Sequence, residues 1–271
     1  MDVKVDLELA LGIDVSGSVD EEEAILQRNG YIAAFRHPSI VDAIKHGALG
    51  RIAVFYYEWA GFGHMKTIAP WTLIEDKESA DAFANILTRD QPETARRTAI
   101  AAAISYGARS FDANGFAGKR RVLDISGDGP NNWGERVDTA RDWAVTRGIT
   151  INGLPIVNDR PSFFGRPPMK DLDLYYRDCV IGGPGAFYVV AKDFKDFARA
   201  VLRKLILEIA NREPAGSEYR QTTAVPTNSL LLPVSETRRT DRTAPPCDAG
   251  ERMRWRRIDD DDELFLPLPQ R

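Results

Sequence analysis

The chain has 271 residues, 43% of them apolar, and a net charge of −4. That length is enough for one large α/β domain or two small ones, the apolar share supports a sizeable core, and the acidic balance excludes the basic footprint of a nucleic-acid-binding protein. No apolar run approaches the ~20 residues of a membrane span. The start, Met1-Asp2-Val3-Lys4, carries no signal-peptide core, which leaves open a cytoplasmic site or, after loss of a leader, an extracytoplasmic one.

In chain order, Val5 to Ile13 reads as a buried strand and Glu21 to Phe35 as a helix, with Ile25, Arg28, Ile32 and Phe35 on one face. Arg51 to Trp59, rich in branched and aromatic residues, is a second strand. His64 to Ile74 reads as a third, antiparallel at a sheet edge, where Pro70 is tolerated. Helices are expected over Asp76 to Leu87 and Thr98 to Phe111. A strand over Arg120 to Ser126 runs into Gly127-Asp128-Gly129-Pro130. A helix over Glu135 to Thr146, closed by Gly148, and a strand over Ile149 to Val157 follow. Residues 158–176 read as an irregular insertion, Ala186 to Val190 as a last strand and Phe194 to Ala210 as a last helix. This alternation predicts a mostly parallel sheet with helices on both faces, one domain over residues 4–211.

After Glu213 the character changes. Seven of the sixteen prolines fall there, with an arginine cluster (Arg252, Arg254, Arg256, Arg257) before the acidic run Asp259 to Glu263. Residues 212–271 are therefore expected to be a disordered Pro/Arg/Asp-rich tail, with Leu230 to Leu232 and Leu264 to Leu266 as apolar patches that could dock. Cys179 and Cys247 lie far apart, in a spacing that suggests neither a zinc site nor a disulfide framework.

The chemistry concentrates where strands end. The first strand stops at Asp14-Val15-Ser16-Gly17-Ser18, three oxygen-bearing side chains at alternate positions, just before an acidic helix start. In an open α/β sheet, that carboxyl edge is where ligands bind. Thr98, ahead of its helix, and Asp128, after its strand, leave the sheet at the same edge. Each has a plain structural reading: Ser18 with Glu21 as a capping box, Thr98 as an N-cap, Asp128-Gly129 as a turn. Together they form an oxygen-only set of two carboxylates and three hydroxyls, suited to Mg²⁺ or Mn²⁺ rather than zinc or copper. Two carboxylates balance a divalent charge, and the ion would still accept another carboxylate from outside.

These residues resemble a known family. Asp14-Val15-Ser16-Gly17-Ser18, Thr98 with Ala103-Ile104, and Ser126-Gly127-Asp128-Gly129 look like the three-part metal-ion-dependent adhesion site of von Willebrand factor type A (vWA) domains. The likeness is nearest to an uncharacterised bacterial branch, through Arg97-Thr98-Ala99-Ile100, the run Ser126 to Asn132 and the run Val180 to Phe187. The resemblance implies a Rossmann-like sheet with one antiparallel edge strand. It also implies direct metal contacts from Ser16, Ser18 and Thr98, with Asp14 and Asp128 near the ion, partly through water. Ile100 and Gly127 depart from it, standing where many members carry threonine.

The leading functional expectation is a non-enzymatic binding module, in which the metal grips an Asp or Glu of a partner protein and Asn131, Asn132 and Trp133 shape the rim. The alternative is a metal-dependent phosphoesterase or phosphotransferase. That chemistry asks for an aspartate nucleophile with a general acid two residues on, and here Ser16 holds that position. A nucleotide-binding domain would need G-x-G-x-x-G after the first strand, which the sequence lacks. His37, His46 and His64 stand in no nucleophile pattern, Gly182 to Gly185 reads as a turn, and Asp124, inside a strand, reads as a buried, hydrogen-bonded carboxylate.

Overall fold

A computed structural model describes residues 2–61, 63–157, 167–194, 196–211 and 242–253. The short strands β1 (Val3–Val5) and β5 (Phe116–Gly118) pair in parallel at one end. The main sheet is built from β2 (Leu7–Asp14), β3 (Ile52–Trp59), β4 (Met65–Ile74), β6 (Arg121–Gly127) and β7 (Thr150–Pro155). Its order is β4-β3-β2-β6-β7, parallel except for β4 at the edge. This is the α/β architecture the resemblance implies.

β2 lies at the centre with all eight residues buried. A strand flanked on both sides by parallel neighbours and covered on both faces must be apolar throughout, as Leu7 to Ile13 nearly is. At the β4 edge the register shifts around Tyr56, opposite the segment containing Pro70, which has no N–H to give the ladder.

Helices α1 (Glu21–Arg36), α2 (Pro38–Lys45), α3 (Lys77–Ile86) and α7 (Phe197–Ile209) cover one face. On the other lie α4 (Ile100–Ser110), α5 (Val137–Thr146) and α6 (Leu172–Tyr175), the last running into a π-helical turn at Tyr176–Val180. α4 sits close on the sheet because the residues between them are small. A Cβ on Gly107 would lie 2.5 Å from Leu123 Cδ1 and 2.6 Å from the Tyr57 hydroxyl, which donates to Ala103 O at 2.8 Å. Arg28, the charged residue on the inner face of α1, is buried and pairs with Glu58 of β3 at 2.5 Å.

Several expectations are corrected. α2 was not anticipated, although Pro38 in its first turn and His37, whose Nδ1 accepts from Ser39 N, are ordinary start signals. The expected strand over Ala186 to Val190 makes one isolated bridge to β7, Tyr188 to Gly153, and Ala191 just past it makes another, to Ile156; Pro155 between them has no N–H to give the ladder, and the Asn152 side chain takes the Phe187 N–H. The insertion expected over 158–176 contains α6; residues 158–166 lie outside the described residues. Part of the expected tail is ordered: residues 242–253 return to the domain. The leucine patches, the acidic run and Arg254, Arg256 and Arg257 lie outside the described residues.

Asp124 is buried as expected and holds α7 to the sheet. Lys204 Nζ lies 2.5 Å from Asp124 and 2.6 Å from Glu208, and Asn152 Nδ2 donates to Glu208 at 2.7 Å. Two carboxylates share one ammonium away from water. Burial, opposed by Lys204 and reinforced by Glu208, pushes Asp124 up to about 7. In the unfolded chain an aspartate deprotonates near 4, at about 3.9. The stability this proton adds is fully present below that value and is lost as pH rises through about 7. Chemical denaturation of the Asp124→Asn protein is expected to show a flatter fall in stability across this window than the parent. Identical pH slopes would overturn that assignment.

Candidate metal centre

β2 and β6 are neighbours, so Asp14 at the end of one and Asp128 just past the other emerge side by side. Chain connections diverge here: β2 leads to α1 on one face, while α4 on the other feeds β6. That is a switch point of the kind where open α/β sheets bind ligands.

Asp14, Ser16, Thr98 and Asp128 are buried and Ser18 is half-buried. Asp14 Oδ1 accepts from Ser16 N at 2.7 Å, folding the first loop back on its own strand end. Ser16 Oγ lies 3.2 Å from Ser18 Oγ and 3.2 Å from Thr98 Oγ1, and Ser18 Oγ donates to Asp128 Oδ1 at 2.5 Å. All five sequence-predicted residues therefore meet in one place.

The plain structural readings of these residues are answered by other groups. α1 is capped by Asp20, which accepts from Glu23 N at 2.8 Å while Glu23 accepts from Asp20 N. The capping box thus lies two residues beyond the expected Ser18–Glu21 pair. α4 begins after Ala99 with no side-chain cap of its own, and Asn131 Oδ1 accepts from Ala101 N at 3.0 Å. The Ser18 and Thr98 hydroxyls cap neither helix, and each lies against Ser16 Oγ instead.

The Thr98 loop is stitched in from both sides. Thr98 N donates to Asn132 Oδ1 at 3.0 Å, and Asn132 N donates to Thr98 O at 2.9 Å. Gly61 N donates to Arg97 O at 2.8 Å, and a Cβ on Gly61 would meet Arg97 and lie 2.7 Å from Arg96 O. Arg97 itself has φ +72°, a left-handed conformation costing about 1 kcal/mol or more in a side-chain-bearing residue. Neighbouring backbone holds it there.

Burial, with Asp128 adding to it, pushes the Asp14 carboxyl well above its ordinary range. Burial also lifts Asp128 to about 6, against the Ser18 hydrogen bond and with Glu23 adding. Asp14 Oδ2 is buried without a hydrogen-bond partner. An octahedral Mg²⁺ with bonds of about 2.1 Å spaces adjacent oxygens about 3.0 Å apart, close to the 3.2 Å between the hydroxyls. The donor set thus fits a hard divalent cation. Among the described residues no group of three or more His, Cys, Asp or Glu offers a rival centre.

The rim departs from expectation at one position. Asn131 is fully buried and its side chain serves α4, Glu135 O and Glu251, so it braces the site from beneath. Asn132 and Trp133 are partly exposed, and the Arg97 guanidinium lies 5.8 Å from the Trp133 ring centre.

Beneath Asn131 lies the returning segment. Cys179 and Cys247 form a disulfide, Arg242 pairs with Asp171 and Asp173, and Gly250 packs directly on Asn131 O. The bond corrects the reading of two unrelated cysteines. With no free cysteine among the described residues, the usable signal was the count of two, not their spacing.

The family described as "Protein of unknown function (DUF1194)" matches residues 4–213, and the chain belongs to it. No curated protein matches. Among solved structures, proximal thread matrix protein 1 from the mussel byssus, with a zinc-occupied MIDAS motif, aligns at 14% identity and TM-score 0.57 over 77% of this chain and 49% of that one. The pilus adhesin SpaC from Lactobacillus rhamnosus GG, in its open conformation, aligns at 15% and TM-score 0.54 over 78% of this chain and 30% of that one. This chain thus spans about half or less of those proteins, and at such identity the likeness establishes the fold.

Closing 68 residues of chain, the disulfide should stabilise the domain by about 4 kcal/mol through the unfolded state. Cys247→Ser, or reductant on the parent, is expected to lower the melting temperature by roughly 10 °C. A parent melt indifferent to reductant would contradict the brace.

Proposed function

We propose that this domain is a metal-dependent protein-binding module. Mg²⁺ or Mn²⁺ is held by Asp14, Ser16, Ser18, Thr98 and Asp128, and the ion grips an Asp or Glu side chain of a partner. One observation carries the reading. Five side-chain oxygens from three loops converge, and the Asp14 carboxylate among them keeps a buried oxygen with no hydrogen-bond partner. Among the described residues no lysine, arginine or histidine ion pair with either carboxylate is found, so a cation would supply the charge the site lacks.

The ion would bring Lewis acidity and at least one position open to an outside oxygen. Two carboxylates neutralise it, and hydroxyls add no further charge, so an incoming carboxylate is favoured. Arg97 and Trp133 beside the opening suit an acidic partner. The adhesin and the matrix protein among the solved neighbours support a binding role. A hydrolase is less well supported, because Ser16 stands where an aspartyl nucleophile's general acid would be needed. The disulfide supports action in an oxidising compartment.

Calorimetric titration with Mn²⁺ tests the metal half. Binding to the parent is expected, with a rise in its melting temperature, and loss of both in Asp128→Ala. The partner half is read by co-purification from the native organism in Mg²⁺ and in chelator, with parent and Thr98→Ala. Thr98→Ala removes one hydroxyl hydrogen bond, to Ser16, which should cost the fold about 1 kcal/mol while weakening capture. Equal Mn²⁺ response in parent and Asp128→Ala, or undiminished capture in chelator, would overturn the proposal.

A further inference from the structure

Asn131 is fully buried, with both ends of its side-chain amide held. Its Oδ1 accepts from Ala101 N, and its Nδ2 donates to Glu135 O at 2.9 Å and to Glu251 Oε1 at 2.7 Å. Its backbone N donates to the Tyr175 hydroxyl, which itself donates to Cys247 O at 3.4 Å. Two of these four partners, Glu251 and Tyr175, lead directly to the returning segment.

The placement of Asn131 is passed on to two of the five proposed ligands. Through Ala101 N it pins the first turn of α4, just after Thr98. Asn132, next in the chain, exchanges two hydrogen bonds with Thr98, N to O and Oδ1 to N. Asp128 lies three residues before Asn131, with the rigid Pro130 between them.

Glu251 sits in a helical turn over residues 249–253. A Cβ on Gly250 would collide with Asn131 O and lie 3.1 Å from Pro130 Cγ, so only glycine lets the turn come this close. The Arg242 pairs with Asp171 and Asp173 tie the segment down where the arginine is exposed, and such pairs are weak. The disulfide from Cys247 to Cys179 is the strong tether.

We propose that Glu251 is a positioning residue for the cation site, acting through Asn131 on Thr98 and Asp128, and that the Cys179–Cys247 bond keeps it in place. The site is then complete only in the oxidised chain. Opening the bond takes two electrons and two protons from a dithiol, which closes its own disulfide. Two cysteine thiols result, and non-covalent contacts alone then hold residues 242–253. Without Glu251, Asn131 Nδ2 still has Glu135 O, so the amide loses an anchor and is not stranded.

The inference rests on the proposed cation site, and the experiment reads the two apart. Amide hydrogen exchange is followed in chelator for the parent, Glu251→Ala, Glu251→Gln and Cys247→Ser, below the melt of each. In Glu251→Ala and Cys247→Ser, exchange at Thr98, Ala101 and Asn132 is expected to quicken by more than at the amides of β2. Mn²⁺ titrated calorimetrically should bind both about tenfold more weakly than the parent, the low end for groups that act on ligands through others. Glu251→Gln keeps an acceptor for Asn131 and should match the parent in both measurements. Parent-like exchange or parent-like Mn²⁺ affinity in Glu251→Ala, or a Glu251→Gln protein as weak as Glu251→Ala, overturns the role of Glu251. Parent-like affinity in Cys247→Ser overturns the part given to the disulfide. A parent that takes no Mn²⁺ overturns the cation site, while the exchange rates still decide whether Glu251 holds the Thr98 loop.

Discussion

Asp14 is a carboxylate at the end of a strand whose every residue is buried, with another carboxylate from the adjacent strand beside it. A charge in that position is costly unless something answers it. Protein groups answer only part: Ser16 N takes one oxygen, and the other has no partner. Elsewhere in the same molecule Glu58 is answered by Arg28 and Asp124 by Lys204, and both oxygens of the buried Glu8 are taken by N–H donors, Asn114 Nδ2 and Gly118 N. At the carboxyl edge of the sheet no basic side chain among the described residues plays that part. The contrast is within one fold, and it is the physical ground for a bound cation there.

The surrounding structure keeps the hydroxyls available to such an ion. Helix starts would ordinarily absorb Ser18 and Thr98 as caps. Here Asp20 caps α1 from its own box, and Asn131 reaches across from the third loop to the first amides of α4. Asn131 is in turn held by Glu251 of the returning segment and by Tyr175. The segment that the disulfide secures thus lies one residue away from the machinery that positions Thr98, and stability and site geometry are tied to the same bond.

Much of this was legible from the chain. Leu7 to Ile13 and Ile52 to Trp59 announce buried parallel strands because packing on both faces demands apolar residues without alternation. The convergence of the five proposed ligands was legible because each follows a strand or precedes a helix at the same sheet edge. What escaped was set by contacts distant in sequence. Ala186 to Val190 looks like a strand, but Pro155 on the neighbouring strand has no N–H for the ladder between the bridges at Tyr188 and Ala191. Asn131 beside Asp128 looks like a rim residue, and only the position of α4 shows that its amide faces inward. Proline content marked the C-terminal region as tail, whereas one covalent bond to Cys179 orders residues 242–253.

The central claim is that oxygens from three loops hold a divalent cation at the carboxyl edge of the sheet. Crystals grown with Mn²⁺ and measured at a wavelength where manganese scatters anomalously test it most directly. The account predicts one strong anomalous peak, about 2.2 Å from Ser16 Oγ, Ser18 Oγ and Thr98 Oγ1, with Asp14 and Asp128 beside it. A well-ordered map with no peak there, or with manganese bound elsewhere and the Ser16, Ser18 and Thr98 hydroxyls bonded only to one another, would contradict it.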